Sequence, residues 1–147
     1  VLVLTANPQQ VAISLLKNNW RSGSTDYETP HIVDITAQKK IEWGLNKDWI
    51  LMHRSRPLQE PAGIGTKGKH VTEQFDVDIR TFGEDEEGHW RRIITEVDRI
   101  FDSKIINPSG SYNILDPDGQ REDKSDKMHA IYRFLIPIKL IKYNKQR

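Results

Sequence analysis

The stretch His89–Ser103, HWRRIITEVDRIFDS, decides how this sequence is read. Trp90, Ile93, Ile94, Val97, Ile100 and Phe101 recur at intervals of three and four, which places all six on one stripe of an α-helix. Arg91, Arg92, Glu96, Asp98 and Arg99 are left to the other faces. The acidic run Glu84–Glu87 precedes the helix, where negative charge is favourable against the exposed amides of a first turn. Such a stripe needs an apolar surface to lie on.

That surface is supplied just upstream. HVTEQFDVDIRTF, His70–Phe82, alternates with a period of two. Val71, Glu73, Phe75, Val77 and Ile79 fall on one face, and Gln74, Asp76, Asp78 and Arg80 fall on the other, which is expected to be wet. A short connection joins this strand to the helix, so the two apolar faces are natural partners.

Further elements follow by the same reasoning. Asn7 and Pro8 suit the cap and first position of a helix over Pro8–Asn19 with Val11, Ala12, Leu15 and Leu16 on its apolar face. Short strands are expected at Ile32–Thr36 and Trp49–Arg54, a brief one at Tyr112–Leu115, and a long last one over Met128–Tyr143. Pro137 has no N–H to give a ladder, so the last strand is expected at an edge or broken by a bulge. The prolines and glycines of residues 56–69 and the turn-rich residues 107–127 predict two long loops. The fold class is therefore α+β, one domain over 1–147, with a mainly antiparallel sheet of four to five strands and two helices packed on it.

Composition narrows function mostly by exclusion. The 147 residues carry 22 Lys and Arg against 21 Asp and Glu, so no global field draws in nucleic acid or an anionic membrane. The chain has no cysteine, which removes disulfides, thiol nucleophiles and thiolate metal sites. No apolar run approaches the roughly 20 residues of a spanning helix, so no membrane association is expected. Because the sequence starts at Val1 without methionine, a short preceding piece is expected.

No strong catalytic pattern emerges. His31, His53, His70, His89 and His129 lack the spacing of a zinc site, and the serines include no GxSxG elbow. The glycines of AGIGTKGKH do not match a phosphate-binding loop, and Lys67 and Lys69 there read as a basic loop. Asp76 and Asp78, two apart on one strand, are positioned to share a divalent cation as in a metal-dependent nuclease. The simpler account is a solvated strand face with Arg80 as neutraliser. At the C-terminus, Tyr132, Phe134 and Tyr143 interleave with Arg133, Lys139 and Lys142, a composition that suits nucleic-acid or peptide binding. The apolar residues Phe134, Leu135, Ile136, Ile138, Leu140 and Ile141 exceed what one sheet face can hide, which points to a neighbouring subunit.

The order of elements, carried by Val11–Trp20, Trp49–His53, Val71–Phe82, Trp90–Phe101 and Met128–Tyr143, resembles the tail-terminator and tail-completion proteins of tailed viruses. The resemblance spans most of the chain and rests on a pattern of elements, with no catalytic residues to carry over. It implies a non-enzymatic structural subunit, without cofactor or metal, that forms a homomeric ring of about six copies and terminates or joins a tail tube. It further implies a place in the virion tail or neck after assembly in the host cytoplasm, contacts with tail-tube or connector proteins, and nucleic acid only as material passing through the ring. The interface candidates are Lys67, Lys69, Tyr132, Phe134, Leu140 and Tyr143. The alternatives are a nucleic-acid or peptide binding module and a nuclease using Asp76 and Asp78.

Overall fold

The computed structural model describes residues 7–21, 30–35, 48–61, 69–82, 87–117, 119–126, 128 and 131–144. The order of elements is α1 (Pro8–Asn19), β1 (His31–Asp34), β2 (Trp49–Met52), β3 (Arg56–Pro61), β4 (Lys69–Phe82), α2 (Glu87–Ser103), β5 (Ile114–Asp116), β6 (Glu122–Asp123) and β7 (Ile131–Asn144). Asn7 caps α1 through its Oδ1, which accepts from the backbone N–H of Gln9 at 2.9 Å and of Gln10 at 3.4 Å. The fold is α+β, with two helices on a seven-stranded mixed sheet that is mostly antiparallel.

The frame is the antiparallel pair β4–β7, in register over its whole length from Lys69↔Asn144 to Phe82↔Ile131. The far flank of β4 is shared by two shorter partners, β3 beside its first half and β2 beside its second, while β1 runs parallel to β2. The far flank of β7 is shared likewise by β5 and β6. The sheet thus has more strands than the four to five expected, because the extra ones are two to six residues long and carry no alternation to read.

Both helices bury their stripes in one core. Val11, Ala12, Leu15 and Leu16 of α1 and Ile93, Ile94, Val97, Ile100 and Phe101 of α2 meet Ile50, Met52, Phe75, Val77, Ile79, Ile136, Ile138 and Leu140 of the sheet. Trp90, at the start of the stripe, packs against Phe134 with ring centroids 5.8 Å apart and stacks on Tyr132 at 6.3 Å. The two helices are also tied by polar groups. Arg99 Nη2 donates to the carbonyl of Asn19 at 2.7 Å, and Glu96 accepts from both Arg99 and the backbone N–H of Arg21. The Arg99 guanidinium is the main reason that the Glu96 carboxyl titrates below its ordinary value.

Three expectations need correction. The loop read over 56–69 opens as strand β3, because a strand with one described partner tolerates Pro57 and Pro61, which need donate to no second ladder. The loop read over 107–127 contains β5 and β6, with the brief strand shifted to Ile114–Asp116. Pro137 lies at neither an edge nor a bulge. β7 is internal, and on its far flank β6 pairs with Phe134 and Leu135 while β5 begins only at Lys139, so Pro137 falls in the gap between two partners.

Candidate functional site

The sheet face turned away from the helices carries the one concentrated group of charges buried among the described residues. Asp78 sits on β4 between Leu51 of β2 and Leu135 of β7, its register partners, and all three are buried. Asp78 has no exposed surface, so the wet strand face expected from alternation fails here. Thr72, on the same face, is also buried.

A carboxylate taken out of water needs compensation. Arg80, two residues along, donates to Asp78 Oδ2 from Nη2 at 2.8 Å and from Nε at 3.1 Å. Arg133 of β7 adds Nη2 at 3.1 Å to the same oxygen and Nε at 3.2 Å to Oδ1. His53, just past β2, brings Nε2 to 2.9 Å from Oδ2 and donates its backbone N–H to the carbonyl of Asp76. Burial acts to raise the Asp78 pKa, but the hydrogen bonds from His53, Arg80 and Arg133 outweigh it and hold the carboxyl far below the usual range.

This arrangement does not suit the metal reading. Asp78 spends its lone pairs on cationic donors, and two guanidiniums beside it repel a divalent ion. Among the described residues no group of His, Asp and Glu is arranged to hold a metal. Arg80 as neutraliser was legible from its spacing. His53 and Arg133, which lie 25 and 55 residues away from Asp78, were not. In the sequence Arg133 stood out only as one of the basic residues interleaved with the C-terminal aromatics, not as a partner of Asp78.

The interface candidates separate in space. Leu140 is fully buried in the core, while Tyr132 and Phe134 are covered in part by Trp90 of α2. This chain's own helix thus meets part of the apolar surface that looked in excess. Lys67 lies outside the described residues, and Lys69 is the first residue of β4, paired with Pro61 and Asn144. Among the candidates whose burial is described, Tyr143 alone is exposed, at 46%, with its backbone N–H bonded to Asn113 Oδ1. It borders a polar recess of about 480 Å³ with Asn107, Ser109 and Lys142.

Near Tyr143 the sheet gains one more extended piece. Ile106 bridges to Ile114 of β5, with Leu115 N–H donating to the Ile105 carbonyl and Asn107 N–H to the Asn113 carbonyl. In that antiparallel pattern the N–H and C=O of Ile106 itself point away from the sheet. Ile105 is 42% exposed and Ile106 76%. Asn107 then turns into the left-handed region at φ 50° and ends the segment.

Close by, the Tyr112 hydroxyl is pushed up to about 12, by burial first and by the Glu73 carboxylate second. Compared with known families and with characterised proteins, the chain matches none.

Proposed function

We propose that this chain is a structural subunit of a viral tail or head–tail connection, closing into a homomeric ring that terminates or joins the tail tube. The observation that carries the reading is the open sheet edge at Ile105–Asn107. Natural sheets blunt their edges with charge, proline or cover. Here an edge presents two exposed isoleucines, with Tyr143 nearby, and an outward-facing N–H and C=O at Ile106. A strand from a neighbouring copy added there gains both main-chain hydrogen bonds and apolar burial.

A ring requires that each copy use two different surfaces, and charge separated along the chain serves that need. Lys104 follows the C-terminal end of α2, and Lys142 lies beside Tyr143, whereas the acidic run that ends at Glu87 leads into the opposite end of α2. Head-to-tail contact between copies brings these unlike ends together. The element order resembles tail-terminator and tail-completion proteins and supports the same reading, with tail-tube or connector proteins above and below in the virion.

Sedimentation across a concentration series, with electron imaging of assembled particles, tests the proposal. The expected result is a closed ring, or association that grows with concentration. A chain that stays monomeric throughout and is absent from any ring overturns it.

A further inference from the structure

We infer that the two recesses on either side of Ser109 form one binding track for a short oligosaccharide that carries a carboxylate. The track is built from side chains and makes no use of the main chain at Ile106, so it does not depend on the ring reading.

Residues 105–115 fold back on themselves as a hairpin, with Leu115 N–H donating to the Ile105 carbonyl at 2.9 Å and Asn107 N–H to the Asn113 carbonyl at 2.8 Å. The loop between them is held in shape. Pro108 and Tyr112 are buried, and Ser109 Oγ accepts from the Ser111 N–H at 3.1 Å. Asn113 is fixed to β7 twice, because its N–H donates to the Ile141 carbonyl at 2.8 Å and its Oδ1 accepts from the Tyr143 N–H at 2.9 Å. Ser109 is thereby set between α1 and the end of β7, where it lines a recess on each side.

On the α1 side, Gln10, Ser14 and Asn18 recur every four residues, which puts them in one row along the helix. With Ser109 they border a recess of about 390 Å³. On the other side, Asn107, Ser111, Asn113, Lys142 and Tyr143 border the recess of about 480 Å³. Both volumes fall in the range of small-molecule sites, about 300–1,000 Å³. Although 29% of the chain is charged, among the described residues the first recess is lined by no charged side chain and the second by Lys142 alone.

That lining selects the ligand chemistry. The side chains of Gln10, Ser14, Asn18, Asn107 and Ser111 make no hydrogen bond with the described residues, and amides and hydroxyls both donate and accept. Sugar hydroxyls do the same, whereas a phosphate only accepts and is best met by several cations. Lys142 supplies one cation, which matches one carboxylate. Tyr143 supplies a ring that is 46% exposed and is held by a T-shaped contact with His70 at 6.0 Å. The negative face of such a ring attracts the polarised C–H groups of a sugar. Because the hairpin and the helix are fixed before anything binds, little ordering is left for the ligand to impose.

The test is titration of the full chain with digalacturonate and with a hyaluronan disaccharide, followed by NMR through the side-chain amide signals of Gln10, Asn18, Asn107 and Asn113. Saturable shifts with a midpoint of about 10 mM or below are expected with at least one of the two acidic disaccharides. Maltose, which lacks the carboxylate, is expected to bind at least about threefold more weakly, and acetate, which lacks the hydroxyls, to give no saturable shift. Lys142→Gln and Tyr143→Ala are each expected to weaken binding at least about fivefold, and Asn18→Ala, exposed on α1, at least about twofold. Arg92→Gln, which removes a positive charge from the exposed surface of α2, should leave it unchanged. If Tyr143→Ala does not fold, Lys142→Gln and Asn18→Ala carry the test. No saturable shift up to about 50 mM of either acidic disaccharide, acetate acting as well as they do, or a folded Lys142→Gln that binds like the wild type overturns the inference.

Discussion

Gly119 lies directly against the ring of Pro137: a Cβ built at residue 119 falls 2.2 Å from Pro137 Cγ and 2.7 Å from its Cβ. The contact sits at the gap between β5 and β6, where Pro137 has no N–H to offer and the segment joining the two strands closes over it. Gly119→Ala is expected to cost about 1–3 kcal/mol by overpacking, since neither the backbone nor a proline ring gives way easily. In the Gly119→Ala, Pro137→Ala double variant part of the loss should return, because the two sites share one contact. Denaturant unfolding of the four proteins of this cycle checks it, and strict additivity refutes the packing argument.

Asp78→Asn leaves two guanidiniums without their carboxylate and is expected to cost about 3–5 kcal/mol, the usual effect of breaking a buried ionic group by removing one partner. The pH dependence has a definite sign. The folded-state pKa of Asp78 is depressed, so its stabilisation is whole above the ordinary carboxylate value of about 4 and drains away as pH falls below it toward the folded value. Unfolding measured from neutral to strongly acidic pH should therefore show a smaller acid loss in Asp78→Asn than in the wild type.

Tyr112 gives the opposite limit. With its folded-state pKa raised to about 12, the contribution of Tyr112 is complete below the unfolded value of about 10 and is lost as pH rises from there. Spectrophotometric titration should show one tyrosine ionising about two units after an ordinary phenol, and Tyr112→Phe should delete that late phase. A late phase that survives the substitution belongs to another residue.

Ile94 and Val97 are buried against the sheet face that holds Phe75 and Val77. Ile94→Ala is expected to cost about 2–4 kcal/mol through lost burial and a residual cavity. A loss below about 0.5 kcal/mol, read from denaturant unfolding, would mean that α2 is not docked through this residue.

The parts of this molecule that were legible are those written in local period. Six apolar residues at helical spacing located α2, and the alternation of Phe75, Val77 and Ile79 located the face that receives it. Asn7 and Pro8 fixed the start of α1. What could not be read depends on register between distant strands. Nothing within a few residues of Asp78 reveals that Arg133 will stand opposite Arg80, because that follows from the pairing of β4 with β7 along its full length. Pro137 misled for the same reason, since a proline excludes a ladder bond only on one flank, and on that flank no strand among the described residues pairs with it. Tyr132, Phe134 and Leu140 looked like excess apolar surface because the reach of α2 across β7 is a tertiary fact.

Ile106 offers a separation between stability and assembly. At 76% exposure its side chain contributes little to the fold, so Ile106→Lys is expected to change unfolding by no more than about 0.5 kcal/mol. The same substitution puts a charge at the middle of the open edge and is expected to weaken self-association at least about tenfold. Ile106→Pro resolves which part of the residue matters. It keeps an apolar side chain but deletes the outward N–H, and an edge position tolerates proline when that group faces solvent. If copies join by adding strands, both variants lose association; if they join through side chains alone, only the lysine variant does. Sedimentation beside denaturant unfolding reads the two effects on the same samples, and assembly of Ile106→Lys at wild-type concentrations would place the contact between copies elsewhere.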